Sequence, residues 1–420
     1  QLCSSRSPRP IPPPLAVSTG RLAMRISVLT LGGDELAVLD ADASWTLKEI
    51  QLHLFKWIET PTTSLRFLHG SSELAPGVLL VEAGVSDGSQ LVVLRIPSLT
   101  VITTSHDGTA KIWDVDTGKC VRSFECSEDY DIEVVSASFS PDGACVVTTS
   151  ADGSASIWST ETGLCLRTLE CQGDVLSAMM SPDGTQVLVA TRDPIVRIYS
   201  RGIGDFCRVL QGHTASVNSA AFSKDGAFVL TTSEDGTARM WDSTSGDCLH
   251  ILRGHQAYVL SADLSLDKTL VVTASDDHTA KVWCAQTGAC LHTLCGHQGY
   301  VLSAVFSAAG ALVLTGSGDH TARIWNASTG ACLHSLGRHK DVVLSAVFSP
   351  SGVQAATASW ERVARIWCVE TGQCLHTLRG HTSDVLSAVF SQDGAQVVTA
   401  SFDGTACLWS TSTGQQLRVL

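Results

Sequence analysis

A hydroxyl attacks a carbonyl when an imidazole takes its proton and a carboxylate orients that imidazole. His213, Thr231 and Asp235 are residues of those three types, and Trp241 follows them. The same four types return at His255, Thr273, Asp277 and Trp283, at His297, Thr315, Asp319 and Trp325, and at His381, Thr399, Asp403 and Trp409. One active site needs one set, so four copies point to framework rather than catalysis. No other chemical signature competes. The sequence has no phosphate loop, since Gly202 and Gly204 precede no helical pattern, and it has no HExxH, GxSxG or CxxC. The expectation is therefore no catalytic residue, no cofactor and no metal, with an unrecognised enzyme in a central channel as the outside alternative.

The sets ride on a repeat that fills the chain from residue 99 onward. Its closing aromatics are Trp113, Trp158, Tyr199, Trp241, Trp283, Trp325, Trp367 and Trp409, and the last five intervals are each 42 residues. Within one unit, apolar runs at 217–223, 228–233, 238–242 and 248–252 are cut by Lys-Asp-Gly, Glu-Asp-Gly and Ser-Gly turns. Short runs bounded by such turns predict four antiparallel strands per unit. First strands open at Val134, Val175, Val217, Val259, Val301, Val343 and Val385, while the unit ending at Trp113 has only its later strands.

A period of about 42 residues built of four strands, with Gly-His at 212–213 and 254–255, resembles the WD-repeat family, whose blades form a β-propeller. The phrase VLSAVFS occurs at 301–307, 343–349 and 385–391, and the resemblance covers residues 99–420. Either eight blades close, with one innermost strand missing or borrowed from residues 91–96, or seven close and residues 99–125 pack outside. Eight is expected, because leaving three apolar strands outside costs more burial than one absent strand. The resemblance implies that each His-Thr-Asp-Trp set is a hydrogen-bonded network tying strands together. Departures fall at Glu361, which stands for Asp beside His339, Thr357 and Trp367, at Cys171, Val189 and Tyr199 around Asp193, and at Tyr130 in the His position of the Trp158 unit. Those blades should be looser. The family's usual partner face maps onto Tyr258, Leu260, Tyr300, Leu302, Val342, Leu344, Trp360, Asp384, Leu386 and Phe402, an aromatic arc on consecutive units.

Residues 24–96 have another origin. A strand and turn with Gly32 and Gly33, a hairpin partner, Thr46 and Glu49 as a capping box, and Leu47, Ile50, Leu54 and Ile58 at helical spacing precede two further strands. This pattern is similar to the ubiquitin-like β-grasp domain. The resemblance places a binding patch on Leu31, Leu68 and Leu94, and the family's Gly-Gly conjugation tail is absent, so the domain reads as an integral module. Residues 1–23 read as a disordered Pro/Ser-rich leader. Pro8, Pro10, Pro12, Pro13 and Pro14 oppose the amphipathic helix of a transit peptide, despite Arg6, Arg9 and Arg21. The expected fold is thus an all-β propeller of eight repeat units, seven of them complete, preceded by a small α+β domain, with boundaries at 1–23, 24–96 and 99–420.

Composition limits the partners. Of 420 residues 44% are apolar and 16% charged, enough to bury a large core. The net charge is −13, with 20 basic and 32 acidic residues after position 98, which disfavours phosphate backbones and anionic membranes. No run approaches the roughly 18 apolar residues of a membrane span. Cys120, Cys165, Cys207, Cys248, Cys290, Cys332 and Cys374 recur about once per unit, too far apart to pair, and are expected reduced and buried as small hydrophobes. The sequence therefore predicts a monomeric, cytoplasmic scaffold, with a nuclear location open. It binds a protein or peptide through the propeller and a ubiquitin-receptor or proteasome-type partner through the N-terminal domain, and binds neither nucleic acid nor membrane. The rival reading is the regulatory or sensor portion of a larger signalling protein.

Overall fold

Runs of five or six apolar and small residues between Asp-Gly turns are too short for helices, and from residue 100 onward the described elements are strands. The computed structural model describes residues 23–420 apart from 31–34, 43, 48, 51–62, 70–71, 75–77, 98–99, 127–131, 172, 203–207 and 338. The chain divides into two compact units, Gln1–Leu99 and Thr100–Leu420.

In the first unit, strands β1 (Ala23–Thr30), β2 (Glu35–Asp42), β3 (Thr63–His69), β4 (Ser72–Glu73) and β5 (Gln90–Pro97) form one sheet in the order β2-β1-β5-β3-β4. The two central strands β1 and β5 are parallel and the other pairs antiparallel. One face buries Ile26, Val28, Phe67, Leu80 and Leu91 against Leu47 and Ile50. Leu47, Glu49 and Ile50 are helical, and the Thr46 amide donates to Glu49 Oε2 at 2.7 Å, one of the two bonds of a capping box. Leu54, Ile58 and Leu31 lie outside the described residues, as does the leader. Leu68 is half-buried in β3, and of Leu94 only the backbone in β5 is described.

Among the described residues the second unit holds seven four-stranded sheets and one of three strands. We number them as blades 1 to 8: residues 100–125, 134–170, 175–211, 217–253, 259–294, 301–337, 343–379 and 385–419. Blade 4 shows the plan, with Val217–Phe222, Phe228–Ser233, Thr237–Asp242 and Cys248–Arg253 laid side by side in chain order. Each first strand carries a bulge after its opening Val, at Leu260, Leu302, Leu344 and Leu386 among others. Cores lie between successive blades. Leu314, Ala322, Ile324 and Leu336 of blade 6 meet Val343, Ala346, Ala355 and Trp367 of blade 7. Small Ala on the first strand lets two sheets approach face to face without a void.

The ring is joined at its rim. A long polar side chain on the outermost strand donates to a backbone carbonyl of the next blade: Arg122 to Thr160 (3.2 Å), Arg167 to Ser200 (2.8 Å), Arg208 to Ser243 (3.0 Å), His292 to Ser328 (2.8 Å), His334 to Glu370 (2.9 Å) and His376 to Ser412 (3.1 Å). Arg418 of blade 8 makes the same bond to Thr117 of blade 1 at 3.1 Å, across 301 residues of sequence. Phe402 of blade 8 also stacks on His106 of blade 1, ring centres 6.1 Å apart. Residues 100–125 are therefore a member of the ring and not an external appendage. The innermost strand of blade 1 is not borrowed, since residues 91–96 belong to β5 and pair with β1 and β3.

One expectation is corrected. Cys120, Cys165, Cys248, Cys290 and Cys332 are exposed and Cys374 is half-buried, where burial was expected. They open the fourth strand, which is the rim of the ring and has a neighbour on one side only. Cys207 lies outside the described residues.

Candidate functional site

In blade 5 the indole Nε1 of Trp283 donates to Thr273 Oγ1 at 2.9 Å, that hydroxyl meets His255 Nε2 at 2.7 Å, and His255 Nδ1 meets Asp277 Oδ2 at 2.8 Å. The Asp277 carboxylate only accepts, so the imidazole proton sits on Nδ1, and the neutral ring then accepts the threonine hydrogen at Nε2. The histidine is neutral and the aspartate ionised. Burial holds the His255 pKa below its ordinary value against the pull of Asp277. Burial opposes ionisation of Asp277 too, but bonds from Thr279, the Gln256 amide and His255 outweigh it and hold its carboxyl at about 2. Blades 4, 6 and 8 repeat these bonds with His213, His297 and His381.

The connectivity is that of a nucleophilic triad, and two features disarm it. Thr231, Thr273, Thr315 and Thr399 are fully buried, and each hydroxyl already accepts from an indole. No substrate reaches the oxygen. The set fixes geometry instead, binding the loop before the first strand, the second strand, the turn and the third strand into one satisfied polar cluster. The preceding glycine in blade 5 eases a close approach: a Cβ on Gly254 would stand 3.3 Å from the Trp283 ring.

The departures are rebuilt, each differently. In blade 7 the longer Glu361 still reaches His339 Nδ1 at 2.6 Å, and the Arg365 guanidinium donates to the same Glu361 carboxylate beside the imidazole. Burial and the Arg365 charge push His339 down to about 4. In blade 2 Trp158 donates to Thr148 at 2.8 Å, and Cys126 Sγ stands 3.4 Å from that hydroxyl, where other blades have an imidazole. Tyr130, assigned there from the sequence, lies outside the described residues. In blade 3 the Tyr199 hydroxyl meets Cys171 Sγ at 3.9 Å, and burial together with Cys171 pushes its pKa up to about 12.

The loop before each first strand is tied to the turn between second and third strands by one backbone bond. The amides of Asp276, Gly318, Trp360 and Phe402 donate to the carbonyls of Tyr258, Tyr300, Val342 and Asp384 at 2.8–3.1 Å. The two groups of sequence-predicted face residues are thereby brought together on blades 5 to 8. Tyr258, Tyr300, Trp360 and Phe402 are exposed at 48, 55, 40 and 53%. Val342, Asp384 and the bulge residues Leu260, Leu302, Leu344 and Leu386 are half-buried beside them. The equivalent positions of blades 2 to 4 hold Glu133, Ala151, Asp174, Arg192, Ser216 and Glu234, so the exposed aromatics fall on half the ring.

Sequence reasoning missed three residues of this face. His278, His320 and Arg362 occupy the turn position that is glycine in blades 1, 2, 4 and 8, at φ of 68, 71 and 69°. A side chain in the left-handed region costs roughly 1 kcal/mol. All three are exposed, on consecutive blades, and His278 packs edge-on against Tyr300 with ring centres 5.6 Å apart. The signal was the broken Asp-Gly pair, readable as Asp-His at 277–278 and 319–320 and as Glu-Arg at 361–362.

The family described as WD domain, G-beta repeat, matches residues 118–159, 163–200, 204–242, 246–284, 288–326, 330–368 and 372–410. Among solved structures the chain is similar to the crystal structure of the computationally designed Ika8 protein, at 30% identity and a TM-score of 0.62, covering 68% of this chain and 86% of that one. No curated protein matches.

Proposed function

The chain belongs to the WD domain, G-beta repeat family, and from that premise we propose that it is a non-enzymatic scaffold that holds a protein or peptide partner on blades 5 to 8. Repeats of this family generally mediate protein-protein contacts. The observation that carries the reading is the arc of four exposed aromatics interleaved with three strained cationic or imidazole side chains. Aromatic rings supply large contact area at small entropic cost, and strain retained at three neighbouring turns marks a surface kept for use. Replacing Tyr300 and Trp360 together by Ala should abolish partner capture while leaving the melting temperature nearly unchanged. Capture retained at wild-type level moves the site elsewhere.

The N-terminal unit is proposed as a ubiquitin-like module engaging a ubiquitin-receptor or proteasome-type partner. Its β2-β1-β5-β3-β4 order, the parallel β1-β5 pair and the Thr46-Glu49 box support that assignment. A monomer in the cytoplasm, with the nucleus open to it, completes the proposal. Binding of the isolated receptor domain, lost on replacing Leu68 by Ala, tests the module separately from the propeller.

A further inference from the structure

Blade 1 differs from the other seven at its inner edge. In the other seven blades the second strand is paired on both sides. In blade 1 its equivalent, Thr100–Thr104, pairs with Thr109–Asp114, and no described strand pairs with its inner edge. The side chains around that edge are correspondingly uncovered. Val389 is 59% exposed where its equivalents Val305 and Val347 are half-buried. Val398 and Ala400 of blade 8 are half-buried where Ala356 and Ala358 of blade 7 are fully buried. Thr103 and Trp113 are half-buried where Thr273 and Trp283 are fully buried.

The polar network is unfinished at the same place. Trp113 Nε1 donates to Thr103 Oγ1 at 2.8 Å and Asp107 accepts from Thr109, yet among the described residues no imidazole bridges Thr103 to Asp107.

We propose that this edge takes an extended segment of a partner polypeptide, added antiparallel to Thr100–Thr104, with a histidine four residues before a Val-x-Ser-Ala-x-Phe run. The chemistry is set by the strands that fill the position elsewhere. His213, His255, His297, His339 and His381 each stand four residues before the opening Val of their first strand. The Ala of that run packs on the preceding blade, as Ala388 does on blade 7. The ladder satisfies the backbone of the edge, and the histidine joins Thr103 to Asp107. Three other occupants are unsuited. Residues 91–96 are committed to β5. A second copy has every first strand paired inside its own blades. Residues 1–22 contain no histidine to join Thr103 to Asp107, and the prolines of residues 8–14 lack the amides a ladder needs.

A fluorescein-labelled peptide of residues 380–392, Gly-His-Thr-Ser-Asp-Val-Leu-Ser-Ala-Val-Phe-Ser-Gln, tests this on the full chain. Saturable one-to-one binding is expected, with slowed hydrogen exchange at Thr100–Thr104 and a raised melting temperature. The peptide carrying His381→Ala should bind about tenfold more weakly. The peptide carrying Ala388→Pro should not bind. In the chain, Val389→Lys should block the peptide yet leave capture on the aromatic face intact. No binding, equal binding of the proline peptide, or protection confined to other strands overturns the proposal. So does exchange at Thr100–Thr104 as slow without peptide as at Leu270–Ser275, which would mean that the chain covers its own edge. Dimerisation that protects Thr100–Thr104 would assign the edge to a second copy and equally overturn it.

Discussion

At the scale of single residues the informative fact is that the same bond order recurs in blades 4, 5, 6 and 8. Asp277→Ala should leave the His255 Nδ1–H and the Gln256 and Thr279 amides without their acceptor. A loss of about 1–3 kcal/mol in denaturant unfolding follows, with partner capture unchanged. Acid should act on the same groups. His213, His255, His297 and His339 are held below the ordinary 6.5, so the unfolded chain takes up protons that the folded chain refuses. Stability should be level above pH about 7 and fall as pH drops through 6.5 toward the value of about 4 at His339. Asp235, Asp277 and Asp319, at about 2 against 3.8, should add a second decline between pH about 4 and 2. Urea midpoints across pH 2 to 8 check both, and a midpoint rising below pH 6 contradicts the neutral-histidine assignment. The networks were legible because repetition converts an ambiguous triad into a structural device. The cysteines were not, because periodicity says that seven positions are equivalent and not which strand faces water.

At the scale of elements, turns and strands part company in legibility. Strand order within a blade follows from the turn residues, and the three-stranded state of blade 1 among the described residues was visible as a missing apolar run. The turns at His278, His320 and Arg362 were passed over because an Asp-Gly rule does not announce its exceptions. Each of His278→Gly, His320→Gly and Arg362→Gly should raise stability by about 1 kcal/mol by relieving the left-handed strain. Each should weaken capture as well. A glycine variant that is destabilised, or that binds as well as wild type, removes the case for these residues as binding groups. Tyr258 and Tyr300 were placed on the face by position in the repeat, whereas their exposure needed the fold, since a turn aromatic packs locally as readily as it projects.

At the scale of the molecule, closure governs everything. Deleting residues 379–420 removes blade 8 and the Arg418 bond to Thr117, exposing the buried faces of blades 7 and 1. An insoluble or molten product is expected by dye binding and near-UV spectra, and a soluble truncation that melts sharply refutes a ring that must close to be stable. The count of blades needed the structure, because the sequence shows seven complete units and a remnant, and only the rim contacts say that the remnant is in the circle. Those rim contacts have an evolutionary consequence. At seven of the eight joints, all but that between blades 4 and 5, the acceptor is a peptide carbonyl, which every amino acid possesses, so the donor on one blade reads no side chain on its neighbour. A duplicated or deleted 42-residue stretch arrives with its own donor and its own acceptor. The ancestry of such a chain can thus proceed by whole-unit gain and loss, with each new junction compatible from the first generation and free to diverge afterwards.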